Sequence, residues 1–125
     1  LKRLEFLNGV LSDGTPYTIT IIDGVLVFQC DGKVRYTAQG PAMLMDYLQA
    51  KGWKLPADAV QRMSDFGKAG AQVVSALIDK KGHWDSVTAD DIDTILKQTG
   101  VGWIQEAIRT LLLGRRTHNE RDTTP

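Results

Sequence analysis

Three Asp-Gly dipeptides, Asp13-Gly14, Asp23-Gly24 and Asp31-Gly32, fall within the first third of the chain. A two-residue type I′ hairpin turn needs positive φ at both central positions, which glycine adopts freely and aspartate tolerates. Each dipeptide therefore reads as a chain reversal, and what lies between them reads as strand. The runs Tyr17 to Ile22, Val25 to Cys30 and Lys33 to Ala38 are rich in the β-branched and aromatic residues that suit a pleated surface. Alternation in the last run places Val34, Tyr36 and Ala38 on one face and Lys33, Arg35 and Thr37 on the other. The middle run is apolar on both faces over its first four residues, which predicts a central strand covered on more than one side.

Residues 1–11 admit two readings. Leu1, Leu4 and Leu7 have the spacing of a short helix, Val10 and Leu11 could begin a strand, and Gly9 is a break between the two. After the meander the period changes. Pro41 at a first turn and Gly52 at a C′ position enclose a helix carrying Met43, Leu44, Tyr47 and Leu48. Pro56 opens a longer one with Val60, Met63, Phe66, Gly70, Val73 and Leu77 as its stripe. Within it Gly67 and Gly70 mark a bend or a close helix contact. Thr88 with Asp91 forms a capping box for a helix that buries Ile92, Ile95 and Leu96 and stops at Gly100. A last helix carries Ile104, Ala107, Ile108, Leu111 and Leu112 and ends near Gly114. The fold class is α+β: an antiparallel β-meander of three to four strands followed by about four α-helices. Residues 1–114 make one domain, and 115–125 make a polar, flexible tail.

The 125 residues suffice for a core without disulfides or metals. Fifteen basic and fifteen acidic side chains cancel, which removes the overall field that draws proteins to nucleic acid or anionic membrane. A lone cysteine, Cys30, points to a reducing, cytoplasmic compartment. No run is long and apolar enough for a membrane helix. The start Leu1-Lys2-Arg3 is too short and charged for a signal peptide, and its first residue is expected of a segment cut from a longer chain.

Chemistry-bearing patterns are sparse. His83 with Asp85 is a loop pair, His118 lies in the tail, and neither has the converging partners that acid–base or nucleophilic catalysis requires. One cysteine and two distant histidines match no zinc spacing. Asp90, Asp91 and Asp93 lack the frame of a calcium loop and read as helix-start carboxylates. Gly67-Lys68-Ala69-Gly70 lies inside a helical stripe, where a phosphate cradle cannot form. No catalytic, cofactor-binding or metal residue is assigned. Residues 91–113 have the outline of a helix-turn-helix, an alternative DNA-binding function. Leu96, where such motifs favour a small residue, and the uncharged-to-mixed set Gln105, Glu106 and Arg109 argue for packing instead. Trp53, Trp84 and Trp103 flank helices, each able to cap the core or to anchor a protein partner.

The series Gly24-Val25-Leu26-Val27-Phe28, Asp31-Gly32-Lys33-Val34-Arg35-Tyr36-Thr37-Ala38 and Leu44-Met45-Asp46-Tyr47-Leu48 resembles the PATAN domain, named for the amino-terminal region of a cyanobacterial protein. The stretch from Ala69 to Gly82 and the acid-led helix after Thr88 are similar to the helical part of some members. The resemblance spans residues 17–112. It implies a bacterial, cytoplasmic, non-enzymatic interaction domain that works with response-regulator receiver domains, with no catalytic residue to transfer. Arg35, Trp53, Trp84 and Trp103 are the protein-binding candidates, the partner being a receiver domain or a second copy of the chain in a homodimer.

Overall fold

The computed structural model describes residues 3–100 and 102–122, with side chains described through Arg116. Four strands, β1 (Arg3–Val10), β2 (Pro16–Ile22), β3 (Val25–Cys30) and β4 (Lys33–Ala38), form an antiparallel sheet in sequence order. They are followed by α1 (Pro41–Lys51), α2 (Ala57–Lys81), a 3₁₀ turn (Trp84–Ser86), α3 (Ala89–Thr99) and α4 (Trp103–Asp122). The architecture is thus an α+β meander with helices on one face.

Two of the three Asp-Gly pairs make the expected turns. Asp23 and Gly24 have φ of 49° and 86°, and Asp31 and Gly32 have 55° and 73°, each pair closing a two-residue hairpin. The first pair does not. Only Gly14 has positive φ there, and the β1–β2 connection is a longer loop closed by Leu11 N–H donating to Thr15 O at 2.8 Å. Asp13 serves differently: its carboxylate accepts from Thr15 N–H at 3.0 Å, the local turn that aspartate side chains make.

The amino-terminal segment is a strand, and its helix-like leucine spacing has a specific cause. Leu4 pairs with Ile21 and Leu7 with Ile19, both facing the core, because Phe6 is an extra residue in a β-bulge. A bulge turns an alternation of two into a spacing of three. Phe6 is buried as well, its ring 4.8 Å from that of Phe66 on α2. Leu1 lies outside the described residues. A second bulge interrupts β4: Phe28 pairs with Tyr36, but Gln29 pairs with Val34. Val34 therefore shares the outer face with Gln29 and is 56% exposed, whereas strict alternation would have placed it with Tyr36. Strand β3 is central as expected, but its cover is one-sided. Leu26, Phe28 and Cys30 are buried under the helices, while Val25, Val27 and Gln29 stay half-buried on the other face.

Helix α1 begins at Pro41 and ends at Gly52 in the left-handed region, as anticipated. Leu44 and Leu48 are its buried residues, and Met43 points outward. In α2 the buried stripe is Ala59, Met63, Phe66, Val73 and Leu77, so Ala59 takes the place expected of Val60, which is exposed. The capping box forms: Thr88 Oγ1 accepts from Asp91 N–H at 3.1 Å, and Asp91 Oδ2 accepts from Thr88 N–H at 2.9 Å. Lys81 adds a 3.2 Å ion pair to the same carboxylate.

Helix α4 does not stop at Gly114 but continues to Asp122. From Ala107 to Gly114 it is buried at every position except Arg109, because it lies between the sheet on one side and α2 and α3 on the other. Gly114 is a contact residue. A Cβ there would collide with the Gly24 nitrogen and stand 2.8 Å from the Asp23 carbonyl carbon. The next two residues are anchored too: Arg115 Nε donates to Gly24 O and Arg116 Nε to Val87 O, each at 3.2 Å. The first two residues of the polar stretch are therefore tied to backbone acceptors, Gly24 in the β2–β3 turn and Val87 ahead of α3.

Gly114→Ala is expected to destabilise the protein by about 3 kcal/mol despite alanine's better helix propensity, since backbone is overpacked against backbone; urea unfolding followed by circular dichroism checks this. At the α3 cap, Thr88→Ala should cost about 1 kcal/mol. The Asp91 carboxyl is held below its ordinary value of 3.8, chiefly by the Thr88 backbone N–H. A carboxylate depressed by folding stabilises above its unfolded pKa and loses that contribution as pH falls through the folded one. The stability gap between wild type and Asp91→Asn should therefore be full at neutral pH, and should close as pH drops from about 4 through the lowered folded value.

Candidate functional site

Helix α1 ends in a reversal that fixes an aromatic cluster. Gly52 N–H donates to Gln49 O at 3.1 Å and Trp53 N–H to Leu48 O at 3.0 Å, the paired bonds of a glycine C-cap. The reversal turns the Trp53 ring back onto the core, 5.7 Å from Phe28 and 6.0 Å from Tyr47. Tyr47, one turn before the cap, stacks on Tyr36 of β4 with centroids 4.1 Å apart and planes within 4° of parallel. Its hydroxyl donates to the Arg35 carbonyl at 3.2 Å. That carbonyl is available because Arg35 is the bulged residue of β4, unpaired with β3.

Tyr36, Tyr47 and Trp53 thus form a half-buried platform on a fully buried Phe28. Lys51, one turn after Tyr47, holds its ammonium 5.9 Å from the Tyr47 ring centre. Exposed Lys33 and Arg35 border the platform on β4, and exposed Met43 continues the Tyr47 and Lys51 face of α1. Rings held by stacking, a hydrogen bond and a helix cap have little rotamer freedom left to lose on binding, the property of anchor residues in interfaces.

Of the four expected binding residues, Arg35 and Trp53 converge here, joined through Tyr47. Trp84 and Trp103 do not. Trp84 sits in the 3₁₀ turn, packed against the core. Trp103 opens α4, 38% exposed, with its ring 5.7 Å from Phe6 and the Arg62 guanidinium 4.5 Å over its face. The composition of the platform could have been read as three aromatics on a strand and a helix. Their convergence depends on the β4 bulge and the α1 cap together, which no local pattern announces.

Several of the other polar residues singled out in the sequence have structural partners. His83 meets Ser86 Oγ at 3.5 Å rather than Asp85. Asp93 pairs with Arg109 at 2.8 Å and Asp91 serves the α3 cap, so two of the three helix-start carboxylates are engaged. Cys30 is buried; desolvation raises its thiol pKa, with Asp31 and Asp13 adding and Arg35 opposing. Among the described residues no group of His, Cys, Asp and Glu could hold a metal, and no helix is long and apolar enough to cross a membrane. In the helix-turn-helix outline, Arg109 is tied to α3 and the Gln105 amide lies 3.5 Å from Thr99 O and Oγ1. The following turns of α4 are buried in the core, unlike a recognition helix that must enter a groove. Comparison with protein-family profiles, curated proteins and solved structures finds no match to this chain.

The stacked pair makes a measurable prediction: a double-mutant cycle on Tyr36→Ala and Tyr47→Ala should give a coupling of about 1 kcal/mol in urea unfolding. Additive effects would mean that the rings do not support each other.

Proposed function

We propose that this chain is a non-enzymatic, regulatory protein-interaction domain of a bacterial signalling system, which docks a receiver-like partner through the β4–α1 platform. The observation that carries this reading is the stacked Tyr36–Tyr47 pair with Trp53, held ready on a rigid floor and left half-open to solvent. The resemblance of the Asp31 to Ala38 and Leu44 to Leu48 segments to PATAN domains supports the class of partner. The rim of Lys33, Arg35 and Lys51 supports a partner whose contact surface is acidic, since complementary charge steers encounter and fixes register. The aromatic centre supplies contact area that desolvates well, while Met43 extends it. Strand addition is the less suitable mode, because the bulge at Arg35 breaks the ladder of the β4 edge.

Isothermal titration of purified receiver domains from the native host tests the reading. One of them should bind, and Arg35→Glu combined with Lys51→Glu should weaken it by about tenfold or more without loss of fold. Absence of binding by every receiver domain, or a double variant that binds as well as wild type, would overturn it.

A further inference from the structure

Packing does not account for the two glycines inside α2. A Cβ added at Gly70 meets nothing within 4 Å, so no neighbouring element demands its smallness, and one at Gly67 would make only ordinary contact with Pro41 at 3.7 Å. What their smallness leaves is space. An apolar cleft of about 220 Å³ runs between α2, α4 and the turn into α1, lined by Gly67, Gly70, Val74, Ile108 and Leu112 among others, with Arg115 the one charged lining residue among those described.

Arg115 lines this cleft and is half-buried. Its Nε is spent on Gly24 O at 3.2 Å, which fixes the plane of the guanidinium. A guanidinium carries five N–H donors, so four remain on the two Nη atoms. Among the described residues no carboxylate forms an ion pair with them. Burial lowers the pKa of this group, as expected of a cation taken partly out of water. An apolar cleft beside a fork of donors that has no carboxylate partner among the described residues is complementary to one chemistry: a hydrocarbon chain ending in a carboxylate. The volume lies below the roughly 300–1,000 Å³ of sites for drug-sized ligands, so the molecule is small.

We propose that this cleft binds a small aliphatic carboxylate, the chain lying between α2 and α4 and the carboxylate received end-on by the Nη groups of Arg115. The site shares no residue with the β4–α1 platform, so it goes beyond the docking function and stands or falls separately.

The probe is sodium octanoate, titrated into the ¹⁵N-labelled full chain at neutral pH and followed by amide shifts, with 1-octanol as the neutral control. Saturable shifts should centre on residues 66–74 and 108–115, and octanoate should bind about tenfold more tightly than the alcohol. Gly70→Leu, which fills the cleft from a position with open space, should abolish binding while the circular dichroism spectrum is retained. Three results would each overturn the proposal: no saturable shifts in these segments, equal affinity for octanoate and octanol, or a folded Gly70→Leu that binds octanoate as wild type does.

Discussion

The contact between Gly114 on α4 and the Asp23-Gly24 turn is the constraint on which the rest of the packing depends. Helix and turn meet backbone to backbone, closer than any side chain permits. Gly24 is doubly committed, since its φ of 86° serves the hairpin and its missing Cβ admits the Arg115 backbone. This seats α4 flat across β1, β2 and β3, and the burial of Ala107 to Leu113, Arg109 excepted, follows from that depth. With α4 fixed, α2 has a floor to lie on and α3 a flank, and the Phe6–Phe66 contact closes the layer.

The sheet is shaped by irregularities at its two edges. Both outer strands carry a bulge, β1 at Phe6 and β4 at Arg35, while the β2–β3 ladder between them is regular. Bulged edges twist away from pairing and guard against strand-to-strand association. Each bulge also redirects side chains. On β1 it sends a third apolar residue inward, and on β4 it turns Val34 outward and frees the carbonyl that fixes Tyr47. The same device completes the core at one edge and supports a half-exposed aromatic surface at the other.

What the sequence revealed and what it concealed divide along the same line. Features made by neighbours in the chain were legible: the two type I′ turns, Pro41 and Gly52 bounding α1, and the reciprocal bonds of Thr88 and Asp91. Features requiring distant elements were not. Leu4 and Leu7 look helical until β2 supplies a register that accommodates Phe6. Gly114 carries the pattern of a helix stop, yet its meaning is set by a turn ninety residues earlier, and a glycine signal cannot distinguish freedom from proximity. Arg35 and Trp53 were identifiable as candidates one at a time. That they share a surface, whereas Trp84 and Trp103 lie apart from it, is a property of tertiary geometry.

The Arg115–Gly24 hydrogen bond joins residues 91 positions apart. During synthesis at about 5–20 residues per second, the meander therefore emerges several seconds before the helix that is to lie on it. In that interval Ile19, Ile21 and Leu26, fully buried in the finished protein, lack their eventual cover. The bulged edges then serve the nascent chain, keeping a half-dressed sheet from finding a neighbour before its own last helix arrives.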